Sequence, residues 1–181
     1  MDKEQILNIR HEALETLEGA LQEELIAAKL NTPEEGKGTE VLTVIFPELG
    51  IDGDGAIGEL FFLPVISDEA EVQHFATVLT IADEISEGLY PALYEAISYI
   101  NFRIPCGAFA LDEVSGSLVY KITVPLPMDL SGEDLLREMN ICSGNAVAAA
   151  DQHMDLLLGM LSGEVSMDDV RAAFPSDQVN D

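Results

Sequence analysis

The chain predicts an α+β fold: an antiparallel sheet with helices packed on one face. Three observations carry that reading. Apolar residues repeat at steps of three and four in separate segments, and β-branched or aromatic residues dominate the stretches between them. Residues 86 to 126 then run from an amphipathic helix through Asn101-Phe102-Arg103-Ile104-Pro105-Cys106-Gly107-Ala108-Phe109 to a strand ending Tyr120-Lys121-Ile122-Thr123-Val124-Pro125. The expected order is helix-strand-strand-strand-helix-strand-strand-helix.

The first helix is expected from residue 3 to about 30, because Leu14, Leu17, Leu21, Leu25 and Ala28 fall on one side of a helical wheel. Glu12, Glu15, Glu18, Glu23 and Glu24 mostly fall elsewhere. Turn residues over 31 to 38 precede a strand over 41 to 46, and a turn over 48 to 55 leads to a second strand over 57 to 65. Residues 72 to 81 fit either a helix or a strand. Thr77 and Thr80 among the apolar positions favour the strand. In the second helix Pro91 suits the first turn, Asp83, Glu84 and Glu87 suit the positive end of the dipole, and Leu89, Leu93, Ala96, Ile97 and Ile100 form the stripe.

A hairpin follows, turning at 112 to 116, after which Leu118, Tyr120, Ile122 and Val124 alternate with more polar residues. The last long helix starts after the cap Ser131, with Asp134 three residues on, and Gly163 ends it. Its seam runs Leu135, Met139, Cys142, Ala146, Ala150, Met154, Leu157, Leu161. Residues 1–162 are therefore expected to form a single domain, and 163–181 an acidic tail with a short helix near 166 to 174.

Composition narrows the function classes. A chain of 181 residues buries about 70% of its unfolded surface, enough for one core. The net charge of −26, from 34 acids against eight bases, argues against nucleic acid and against an anionic membrane, since phosphate binding needs Lys and Arg. The field instead favours a basic or amphipathic polypeptide. Apolar runs such as 60 to 66 fall far short of the roughly 20 residues that cross a bilayer. The start Met1-Asp2-Lys3-Glu4-Gln5 lacks a secretory pattern, so the expected location is cytoplasmic.

Two strands read as apolar on both faces. Leu60 and Phe62 oppose Phe61, Leu63 and Val65, and Val44 and Phe46 oppose Ile45. Apolar residues on both sides of a sheet need cover on both sides. A homodimer or partner face formed by Ile45, Phe61, Phe62 and Leu63 is therefore expected.

The order of elements, the Asn101-Phe102 step out of the second helix, Pro105-x-Gly107 read as strand, and the Tyr120 to Pro125 strand together resemble the YbjN-like family of bacterial sensory transduction regulators. The resemblance covers roughly residues 3 to 162. It implies a class I type III secretion chaperone-like fold, often dimeric and acidic, that binds other proteins and has no established catalytic activity. Asn101, Phe102, Pro105 and Gly107 carry the match and are assigned structural roles: Asn101 satisfying backbone groups at the helix exit, Phe102 burying against the sheet, Gly107 permitting close backbone approach.

No residue set reads as an active site, and no cofactor or metal is assigned. Asp52-Gly53-Asp54-Gly55 departs from a calcium loop at Ala56, Ile57 and Leu63 and reads as a hairpin turn. His11, His74 and His153 lack metal-ligand spacing and read as helix-edge or surface residues. Cys106 and Cys142 read as buried thiols in a reducing compartment. The leading expectation is a non-enzymatic protein-binding domain using its sheet face or sheet edge. Its rivals are a small-ligand binder or enzyme with a reactive thiol in a sheet-helix pocket, and a structural subunit of a larger assembly.

Overall fold

In the computed structural model, which describes residues 1–33, 38–50, 53, 55–64 and 71–174, six strands form one antiparallel sheet in the order β1-β2-β3-β4-β6-β5. Helix α1 (Lys3–Glu23) begins at a capping box. The Asp2 carboxylate accepts the Gln5 N–H, and the Gln5 side chain accepts the Asp2 N–H. Ile6, Arg10, Ala13, Leu14 and Leu17 face inward.

The helix stops well before residue 30, which corrects the sequence expectation. Leu25 adopts a left-handed conformation (φ 64°), the Ile26 N–H returns to the Leu21 carbonyl at 2.9 Å, and the Leu25 N–H to that of Gln22 at 3.0 Å. This is a Schellman ending with leucine where glycine is usual. The chain then reverses into a strand the pattern did not show, β1 (Ala27–Asn31). Ala-Ala-Lys-Leu favours a helix intrinsically, but pairing with β2 (Val41–Phe46) overrides that weak preference. Ala28 and Leu30 are half-buried by strand alternation rather than by helical phase.

Strands β3 (Ala56–Phe62) and β4 (Val72–Ala82) complete the first four, so the ambiguous third strand is a strand. β3 ends at Phe62, and residues 65–70 of the expected second strand and its following turn lie outside the described residues. At the turn before β3, Gly55 has φ 75° and sends its N–H to the Leu49 carbonyl, while Asp52 and Asp54 lie outside the described residues.

A 3₁₀ turn over Glu87–Leu89 precedes α2 (Tyr90–Asn101), so no acidic residue sits in the first turn of that helix. Strands β5 (Ala108–Asp112) and β6 (Ser117–Pro127) form the hairpin, and α3 (Gly132–Ser162) closes the layer, capped by Ser131 and ended by Gly163 as expected. Helix α3 crosses β4 and β6 and touches α1 and α2. Its fully buried Ala146 and Ala150 let it lie close. Helix α4 (Met167–Ala173) does not hang free: Val170 is fully buried, and Arg171 pairs with Glu95 of α2 at 2.5 Å. Residues 175–181 lie outside the described residues.

The core lies between the helices and one sheet face, where Leu42, Val44, Leu60, Phe62, Phe75, Leu79 and Tyr120 are fully buried. Phe62 and Phe75 are register partners whose rings meet edge to face at 5.3 Å.

Candidate polypeptide-binding face

Strand alternation sends every second residue to the side without helices. The register aligns these residues in rows. One row crosses all six strands, Ala27–Ile45–Ile57–Thr80–Val119–Ala110, and contains no charge. Ile45 and Ile57 face each other and are 51% and 52% exposed. The next row is Lys29–Thr43–Glu59–Val78–Lys121–Ala108, and Phe61 sits beyond it opposite Ala76. Among the described strand residues of this face, with Asp112 at the edge, two lysines balance two acids, in a chain carrying −26. The acidic excess lies elsewhere.

A groove of about 490 Å³ adjoins the row where β1 starts and β2 ends, lined by Leu25, Ile26, Ile45, Pro47 and Leu49, by Val147 of α3 and by the acid Glu48. Leu25 is 94% exposed and at the same time left-handed. The left-handed backbone is costly for a leucine, and its exposed side chain adds apolar surface beside the row.

Side chains block part of each sheet edge. On β1 the Leu30 N–H donates to the Glu18 carboxylate at 2.9 Å, and the Ala28 carbonyl accepts from Gln22 at 2.9 Å. On β5 the Phe109 N–H and carbonyl are both taken by the Asn101 side chain, at 2.8 and 2.9 Å. Helix side chains thus occupy backbone groups that an added strand would need. The face is open.

Of the expected partner residues, Ile45 and Phe61 lie on this face, at its two ends, and Leu63 is half-buried just beyond β3. Phe62 does not: it belongs to the core face, because side chains change sides at each residue. Sequence reasoning missed Ile57, whose exposure needs the register, and Leu25, which had been placed on a helical stripe.

The four residues carrying the family resemblance are also redistributed. Asn101 serves the edge strand rather than the helix exit. Phe102 is 86% exposed, not buried, because the chain leaves α2 with its side chain directed away from the sheet. Pro105 lies in the bend before β5, not in a strand. Gly107 has φ 71°, and a Cβ there would strike the Tyr120 hydroxyl, which itself donates to the Cys106 carbonyl, so close approach is required as expected. Burial pushes the Tyr120 phenol up to about 12.

The thiols differ from each other. Cys142 is buried, 3.8 Å from the Thr77 hydroxyl, and burial pushes its thiol up, away from the thiolate that nucleophilic chemistry needs. Cys106 is only half-buried. Among the histidines, His11 bonds Glu40 at 2.8 Å, which raises its pKa, whereas His153 is buried beside Phe174 and lowered by desolvation, not at the surface as expected.

No family model matches the chain, and no curated protein matches it. Among solved structures it is similar to an uncharacterized protein from Methanothermobacter thermautotrophicus, with 18% identity and a TM-score of 0.46 over 82% of this chain and 99% of that one.

Proposed function

We propose that this chain is a non-enzymatic, chaperone-like or regulatory domain that binds another polypeptide across the open face of its sheet, the role the YbjN-like resemblance implies. The observation that carries the reading is the uncharged six-strand row, with Ile45 and Ile57 half-exposed on its second and third strands beside the groove at Leu25. An apolar strip on the one sheet face with balanced charge gives a partner a place to bury apolar surface without meeting the acidic excess. That excess raises the encounter rate of a basic or amphipathic segment. The partly blocked edges favour docking on the face over strand addition. A homodimer would use the same surface, so self-association and client binding compete.

The test is binding of fluorescent basic-amphipathic peptides to the purified protein, together with sedimentation, for the native chain and for Ile45→Glu and Ile57→Glu. Both side chains are half-exposed, so each variant is expected to fold with a stability change within about 1 kcal/mol. Each is expected to lose peptide binding and self-association at least tenfold. Unchanged binding in both folded variants would exclude the face.

A further inference from the structure

We propose that the cavity beside the first two turns of α1 binds a carboxylate carried on an apolar body, with Arg10 as the partner of the carboxylate. This does not rest on the polypeptide-binding reading. The cavity lies at the opposite end of β2 and β3 from Ile45 and Ile57.

Arg10 is only 6% exposed. Among the described residues its guanidinium makes one hydrogen bond, Nη2 to the Phe62 carbonyl at 2.8 Å, and stacks 5.1 Å above the Phe62 ring centroid. A guanidinium carries five N–H donors in a planar fork. Among the described residues no buried side-chain nitrogen lacks a partner, so the N–H groups of Arg10 that Phe62 does not take are not sealed in the core, and Arg10 lines the cavity. No carboxylate of the described residues lies within ion-pair distance of it. Glu40, the acid on the cavity wall, turns one oxygen to His11 at 2.8 Å and to the Thr32 hydroxyl at 3.3 Å.

The surroundings complete the chemistry. The cavity holds about 480 Å³ and is lined by Lys3, Asn8, Arg10 and His11 on the polar side and by Leu7, Leu14 and Pro64 on the apolar side. That volume suits a small ligand. In a chain with eight Lys and Arg residues against 34 acids, two of the eight and a histidine line one cavity; Lys3 and His11 already have partners, which leaves Arg10 as the cation for a ligand. Glu40 favours the protonated form of that histidine. A planar carboxylate can take two parallel N–H bonds from Arg10 while its apolar body lies along Leu7, Leu14 and Pro64. The same head group occurs on a free organic acid and on a polypeptide C-terminus.

The test titrates the full-length protein, followed by amide NMR shifts at Leu7 and His11, with hexanoate, hexanol, inorganic phosphate, and a leucine-terminated peptide in free-acid and amidated forms. Saturable shifts are expected with hexanoate, the free-acid peptide, or both, and not with hexanol or the amidated peptide; which one binds identifies the source. Phosphate is expected to bind at least tenfold more weakly than the better carboxylate. Arg10→Lys is expected to weaken binding roughly tenfold, since an ammonium lacks the bidentate fork. Leu7→Trp, at a side chain 45% exposed at the cavity mouth, leaves Arg10 in place and is expected to abolish binding by filling the space. Absence of saturable shifts with every carboxylate, equal binding of hexanol or of phosphate, or binding unchanged in Leu7→Trp would overturn the assignment. The Ile45→Glu and Ile57→Glu variants are expected to bind carboxylates normally, which separates this site from the sheet face.

Discussion

Asn101 holds Phe109 from both sides of its peptide backbone: the side-chain oxygen accepts the Phe109 N–H at 2.8 Å, and the side-chain amide donates to the Phe109 carbonyl at 2.9 Å. A carboxamide can do this because it carries one acceptor and one donor side by side. Asn101→Ala leaves two backbone groups unpartnered at the rim of the sheet, and the expected cost is about 1–3 kcal/mol in urea unfolding. It also exposes the Phe109 backbone groups on the β5 edge, so light scattering should show concentration-dependent association beyond that of the native chain, and Ile45→Glu should not suppress the excess. Asn101→Asp retains the acceptor but not the donor and should recover less than half the loss.

Leu25 sits where a helix ending of this geometry prefers glycine. Leu25→Gly removes a left-handed penalty of roughly 1–2 kcal/mol and adds roughly 0.5–1 kcal/mol of unfolded-state entropy. A net gain of up to about 1 kcal/mol is expected in denaturant unfolding. The same change deletes an exposed wall of the groove, so the more stable variant should bind amphipathic peptide more weakly. Equal binding would remove Leu25 from the interface.

Gly107 packs under Tyr120, and its added methyl would also approach the Lys121 carbonyl at 2.9 Å. Gly107→Ala combines a positive-φ penalty with a collision against strand backbone, for an expected loss of about 2–4 kcal/mol. Tyr120→Phe keeps the ring edge to face with Phe109 at 4.9 Å but drops the hydroxyl bond to the Cys106 carbonyl. In that background Gly107→Ala should cost less, and a double-mutant cycle on urea midpoints measures the difference.

The two perturbed histidines oppose each other in pH dependence. His11 has a raised pKa, first from its bond to Glu40, so its stabilising effect is full below the unfolded value near 6.5 and fades as pH rises through the folded value. Its side chain is 40% exposed, and solvent screening holds the effect below about 1 kcal/mol. His153 has a lowered pKa from burial, so its contribution is present above about 6.5 and is lost as pH falls through the folded value. His11→Gln should flatten the stability loss on the alkaline side of 6.5, and His153→Phe the loss on the acid side, both read from unfolding midpoints across pH 5 to 8.

The α+β class, the strand over 41–46, the hairpin strand after Gly116, expected to end at Pro125, and the long α3 with its Ser131 and Gly163 ends were legible in the residues, because each rests on local periodicity or a local cap. The candidate face was half legible. Ile45 and Phe61 alternate with core residues along their own strands, but Phe62 was counted on the wrong side, since a run of apolar residues does not say which parity the helices cover. β1 stayed hidden because Ala27–Asn31 has the composition of a helix and becomes a strand only when β2 lies beside it. Nothing in the sequence sets Arg10 apart; only packing places it against Phe62. What the sequence determined by itself was the set of elements whose signals act within a few residues. Only the tertiary structure decided which face is covered, which edge groups are blocked and which charge is buried, because those depend on contacts between segments far apart in the chain.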